Sequence, residues 1–203
     1  MNGKNSIEQI EAAFLDVRKA YRLLYTYQQR VMDIIKFIGQ LTSRQYNGGW
    51  SKFSNSSPKD GKGNLDMWAW DWLNMYCYEF FFGDAIINGN KIGLSVWLVS
   101  DTGFYDTEAR EALNLDSFSA VENATTKLVI FAGKNAWYKE SDDFWNNFKK
   151  DAPEYIEKND DGILLAKSFS LSSFINEAAS RKCLHQFAAF CAANSIPEIT
   201  ILN

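Results

Sequence analysis

The chain has a single histidine, His185, so any Ser-His-Asp or Cys-His site would have to be built on it. Its neighbours Cys183 and Cys191 follow no zinc-ligand spacing. Histidine relays, zinc centres and haem attachment are therefore not expected, and no cofactor, metal or catalytic residue is assigned. The three cysteines, Cys77, Cys183 and Cys191, are widely spaced and odd in number. They read as reduced residues of a cytoplasmic protein.

Carboxylates are the remaining acid–base groups. Asp66, Asp71, Glu79 and Asp84 flank an aromatic stretch, and Asp101, Asp106, Glu108 and Glu111 follow the next apolar run. On a continuous strand Asp71 and Glu79 share a face, but they stand about 26 Å apart at roughly 3.3 Å per residue and cannot act together. A magnesium nuclease of the restriction type needs an acid-x-Lys on a strand. The residues two before Lys134, Lys139 and Lys167 are Ala132, Trp137 and Leu165. Glycine-rich dinucleotide fingerprints and hydrolase elbows are also missing. A carboxylate-based, metal-dependent hydrolase around Asp66, Asp71, Asp101 and Asp106 stays as one alternative.

Basic residues concentrate early. Residues 1–64 hold 10 Lys/Arg against 5 Asp/Glu, and residues 65–203 hold 11 against 20. Such asymmetry can steer an acidic partner, or the acidic part of the chain can neutralise it. Arg18, Arg22 and Arg30, with Trp50, Lys52, Lys59 and Lys62, form the candidate partner- or anion-binding set. The last four fall in residues 46–64, a Gly/Ser/Asn-rich stretch that reads as a loop. Glycines and lysines together can present N–H groups and charge to a phosphate. The spacing is not that of a P-loop.

The elements that must position these groups begin with a long helix. Ser6 and Gln9 form a capping-box pattern. Ile7, Ile10, Phe14, Val17, Tyr21, Leu24, Val31, Ile35 and Ile38 then recur at steps of three and four, interrupted by Gln28. The helix is expected over 6–41, roughly 50 Å at 1.5 Å per residue. Leu23, Tyr25, Tyr27, Met32, Ile34 and Phe37 widen its apolar surface in the second half. That half is expected to pack internally, and the narrower first half to remain open to a partner.

Trp68, Trp70, Trp72, Tyr76, Tyr78, Phe80 and Phe82 alternate, which predicts one long strand facing core. Turns are expected at Gly83-Asp84 and Asn88-Gly89-Asn90, and strands at 92–99, 127–132 and 163–169. Helices are expected at 107–115 and 141–150. A last helix should run from Ser172 or Ser173 to Asn194, with Phe174, Ile175, Ala178, Phe187, Phe190 and Cys191 inward. Residues 199–201 read as an edge strand. The chain thus reads as a single α+β domain, 1–203: the helix 6–41, the loop 46–64, and a sheet with helices over 65–203. The mostly antiparallel sheet has four to five strands, packed by the N-terminal and C-terminal helices.

A composition of 46% hydrophobic and 15% aromatic residues supports a large core. No apolar run approaches the 18 or so residues of a membrane helix, so no membrane partner is expected. The expected function is a non-enzymatic protein-binding or assembly module, such as an adaptor, inhibitor or immunity-type protein. Its partner would be a protein, another copy of the chain included. A nucleic-acid- or phosphate-binding protein using the basic N-terminal third is the other alternative, disfavoured by the pI of about 5.1.

Overall fold

The computed structural model describes residues 7–52, 77–106, 118–137, 152–158, 160 and 162–202. The expected helices at 107–115 and 141–150, the aromatic row from Trp68 to Tyr76 and the Ser6 cap lie outside them. The chain divides into two compact units at Phe37/Ile38.

Helix α1 runs over Ile7–Thr42, 36 residues, as its heptad spacing predicts. In the first unit its side chains are exposed as far as Arg30, apart from the half-buried Leu24 and Tyr27. From there one face closes: Val31, Ile34 and Ile35 are buried. Internal packing was expected from Leu23, but Leu23, Tyr25 and Met32 are exposed. The reason is geometric. At about 3.6 residues per turn, Tyr25 and Met32 point roughly 100° or more around the helix from Val31, whereas Leu23 falls on the solvent-exposed stretch before it. Tyr25 and Met32 instead border a shallow open depression with Gln28, Gln29, Asp33 and Lys36.

The second unit opens with the last turn of α1, where Ile38 and Leu41 are buried. A Cβ on Gly39 would lie 2.9 Å from the Phe82 ring, so the bare backbone lets the turn approach that strand. The helix ends in a Schellman arrangement. Arg44 donates its N–H to Gly39 O (2.9 Å) and Ser43, at φ 54°, to Gln40 O (3.2 Å).

Six strands follow: β1 (Gly48–Ser51), β2 (Cys77–Ile87), β3 (Asn90–Val99), β4 (Lys127–Lys134), β5 (Glu154–Lys158) and β6 (Ile163–Ser170). They form one sheet in the order β1-β2-β3-β4-β6-β5, antiparallel at every pairing. The fold is α+β as expected, with slightly more strands than four or five. The additions are short edge strands. β1 lies within the stretch expected as a loop, and neither GGWS nor EYIEK carries the apolar alternation that announces a strand.

β2 does not turn at Gly83-Asp84. It continues to Ile87 through a register shift between Phe81 and Asp84, with Gly83 at φ +72°. The turn to β3 falls at Asn88-Gly89. Gly93 and Gly133 are register partners across β3 and β4, and a Cβ on either would meet the Trp137 ring at 2.6 Å. This glycine pair is the seat of Trp137.

The sheet buries both faces, so its central strands read as apolar on both sides. One face carries Cys77, Trp97, Val99, Val129, Phe131, Leu164 and Ala166, with Tyr105, Phe118, Trp137 and Tyr155 packed against them. The register places Phe80, Val96, Ile130 and Leu165 on the other face. Helix α2 (Glu177–Ala193) starts at Asn176, whose side chain accepts from Ala179 N–H at 2.9 Å. Ser180, Cys183, Leu184, Phe187, Phe190 and Cys191 form its buried face. Ile175 and Ala178, expected inward, are exposed, because a separate short 3-10 turn at Leu171–Phe174 precedes the helix and changes the phase. Residues 199–201 form no strand. The chain end is tied by Leu202 N–H to Leu41 O at 2.8 Å.

Candidate functional site

Two constellations stand out, one on the helix and one in the sheet. The helical one is an apolar stripe in contact with solvent. Ile7, Ile10, Phe14, Val17 and Tyr21 stand in heptad succession, with Phe14 51% and Tyr21 67% exposed. Arg18, Arg22 and Arg30 are exposed on the same stretch of helix. Lys19 pairs with Asp16 at 2.9 Å, but both side chains are largely solvated, so the bridge contributes little. Residue by residue, a solvated apolar side chain is ordinary. Five at heptad spacing form a continuous surface of the kind that marks interaction sites.

The second constellation is charged and buried. Lys52 Nζ lies 2.6 Å from Glu79 Oε2, with side chains 8% and 2% exposed. Ser95 Oγ donates to Glu79 Oε1 at 2.6 Å, and the Lys52 ammonium sits 5.0 Å from the Trp97 ring centroid. The register explains the meeting. Glu79 pairs with Trp97 across β2 and β3, and Trp50 of β1 pairs with Glu79 from the other side. Lys52 follows β1, anchored by its N–H to Cys77 O at 3.0 Å. Both carboxylate oxygens are thus engaged by protein groups, and the cation is covered by an aromatic face.

The expected binding set is therefore distributed. Trp50 is half exposed at the sheet edge, its ring 5.9 Å from that of Phe81. Lys52 points inward to Glu79 and is not an open surface cation. Lys59 and Lys62 lie outside the described residues. Glu79 and Ser95 were not among the expected site residues. The available signal was a lone polar residue in each of two otherwise apolar runs, CYEFFF and IGLSVWLV.

Other reactive groups are held in structural roles. Burial raises the Cys183 thiol and pushes the Cys191 thiol up to about 12, against the opposing charges of Lys182 and Lys167 respectively. Thiols so placed stay protonated at neutral pH and are poor nucleophiles. His185 is exposed on α2. Asp101 Oδ1 accepts from Gly103 N–H at 2.8 Å and closes a turn. Asp66 and Asp71 lie outside the described residues. Among those described, no three His, Cys, Asp or Glu side chains gather as a metal site.

A protein-family model described as PM0109 matches residues 7–196. The chain belongs to the PM0109 family. A relative from Pasteurella multocida (strain Pm70), named uncharacterized protein PM0109, is 27% identical over 165 residues, 74% of either chain. No solved structure matches. The PM0109 match opens at the first residue of α1 and takes in its whole length together with the sheet and α2. The exposed stripe therefore lies within the span that defines the family. Among the described residues, no helix is long and apolar enough to cross a membrane.

Proposed function

We propose that this protein is a non-enzymatic protein-binding or assembly module, and that residues 7–24 of α1 are its binding element. The partner is an amphipathic protein helix. One observation carries the reading: the heptad stripe from Ile7 to Tyr21 is solvent-exposed while its continuation at Val31, Ile35 and Ile38 is buried. Apolar side chains at a and d positions associate by inserting between those of a facing helix. The inward turn of Lys52 weakens the nucleic-acid alternative, because that cation is engaged by Glu79.

The test is retrieval of the tagged full chain from its native cells, beside a Phe14→Asp/Tyr21→Asp variant of unchanged helicity. The reading expects a protein retained by the parent and lost from the variant, which then binds the parent again when both are pure. Retention of the same proteins by parent and variant, or no protein rebinding, contradicts it.

A further inference from the structure

We infer that the occupant of the exposed stripe is a second copy of the same chain, paired antiparallel over residues 7–24. The inference rests on the protein-binding reading and names its partner. It is carried by where the charges and the small residues fall around the stripe.

With Ile7, Phe14 and Tyr21 at a positions, Ile10, Val17 and Leu24 take the d positions. The flanking e positions are Glu11 and Arg18, and the flanking g positions are Ala13 and Ala20. Glu11 and Arg18 are exposed, and neither forms an ion pair among the described residues. They are one heptad apart, roughly 10.5 Å along the axis at 1.5 Å per residue, too far to neutralise each other on one helix.

In an antiparallel pair, a positions meet d positions, and e faces e while g faces g. Layering Ile7 on the partner's Leu24, Ile10 on the partner's Tyr21 and Phe14 on the partner's Val17 brings Glu11 opposite the partner's Arg18. Symmetry repeats that pair, so two complementary charge pairs form on one flank. The same register sets Ala13 opposite the partner's Ala20, so the other flank offers only methyl groups and lets the helices approach. The overlap is roughly 27 Å long at 1.5 Å per residue. It uses the exposed part of the stripe with the half-buried Leu24 at its end, and stops before Gln28.

A parallel, in-register pair lacks these matches. Its g-to-e contacts join Ala13 to the partner's Arg18 and Ala20 to the partner's Tyr25, neither of them a charge pair. It would also set Gln28 against the partner's Gln28, and its continuation would need Val31 and Ile35, which are already buried.

Sedimentation equilibrium of the pure full chain, with charge-reversed variants, tests the pairing. The parent should show a monomer–dimer equilibrium. Arg18→Glu sets two like-charge pairs across the seam and should weaken the dimer at least about tenfold. The double variant Glu11→Arg/Arg18→Glu should restore it. As a second measurement, an oxidised mixture of Ala13→Cys and Ala20→Cys chains should give a cross-linked pair, and Ala13→Cys alone should not. A parent that stays monomeric up to millimolar concentration overturns self-pairing. So does a double variant as weak as the single one, or cross-linking of Ala13→Cys with itself. If the parent is monomeric yet stripe-dependent retrieval of another protein persists, self-pairing fails and the protein-binding reading stands. If both are absent, both fail.

Discussion

One helix carries the same heptad pattern through two surroundings. Over residues 31–41 the stripe is covered, with Val31 and Ile38 fully buried. Over residues 7–21 the same spacing meets water. Burial of an apolar side chain is worth roughly 1.5–3 kcal/mol, so the first stretch stabilises the fold and the second gives the isolated chain almost nothing. The proposed pairing is what would bury that second stretch. The sheet also encloses one charge pair, Lys52 with Glu79, whereas Glu11 and Arg18 on the open stretch are solvated.

Changes in the enclosed region should give the largest losses. Glu79→Ala leaves the Lys52 ammonium buried without its counter-charge and should cost about 3–5 kcal/mol in urea denaturation. Replacing both with apolar residues of similar volume should recover most of that loss. An effect of Glu79→Ala below about 1 kcal/mol would mean that water reaches the pair.

The helix comparison itself comes next. Ile38→Ala should cost about 2–5 kcal/mol through lost burial and the cavity left behind. Phe14→Ala should change monomer stability by no more than about 0.5 kcal/mol. Equal costs at the two positions would erase the distinction between the stretches.

A smaller effect is expected at acid pH. Glu198 accepts from Lys134 Nζ at 2.7 Å. Burial pushes its carboxyl up, but the Lys134 hydrogen bond and charge, with a backbone hydrogen bond, hold it below the ordinary 4.5. A depressed carboxylate contributes stability that is present above the unfolded value and lost as pH falls through the folded one. Glu198→Gln should therefore flatten the stability loss below pH 4.5 and lower stability at pH 7. An unchanged acid limb would assign that loss to other groups.

Much of this fold is legible in the sequence, and the rest fails for identifiable reasons. The helix α1 and strands β3, β4 and β6 announce themselves by period, because each repeats one burial choice many times. β1 and β5 do not, since four or five edge residues are held by ladder hydrogen bonds and not by buried side chains. Gly83 reads as a turn because a bulge and a turn use the same positive φ. The open stripe is legible as a heptad, but pattern alone does not say which part is covered, and expectation set the boundary at Leu23 where the structure sets it at Val31. Lys52 escaped because its inward turn depends on Glu79 and Ser95, which arrive from two other strands.

Amide hydrogen exchange along α1 at several protein concentrations tests the central claim most directly. Amides of residues 31–41 should be strongly protected at every concentration, because their burial lies within the chain. Amides of residues 7–24 should exchange fast in dilute solution and slow as concentration rises. Strong, concentration-independent protection over both stretches would contradict the account.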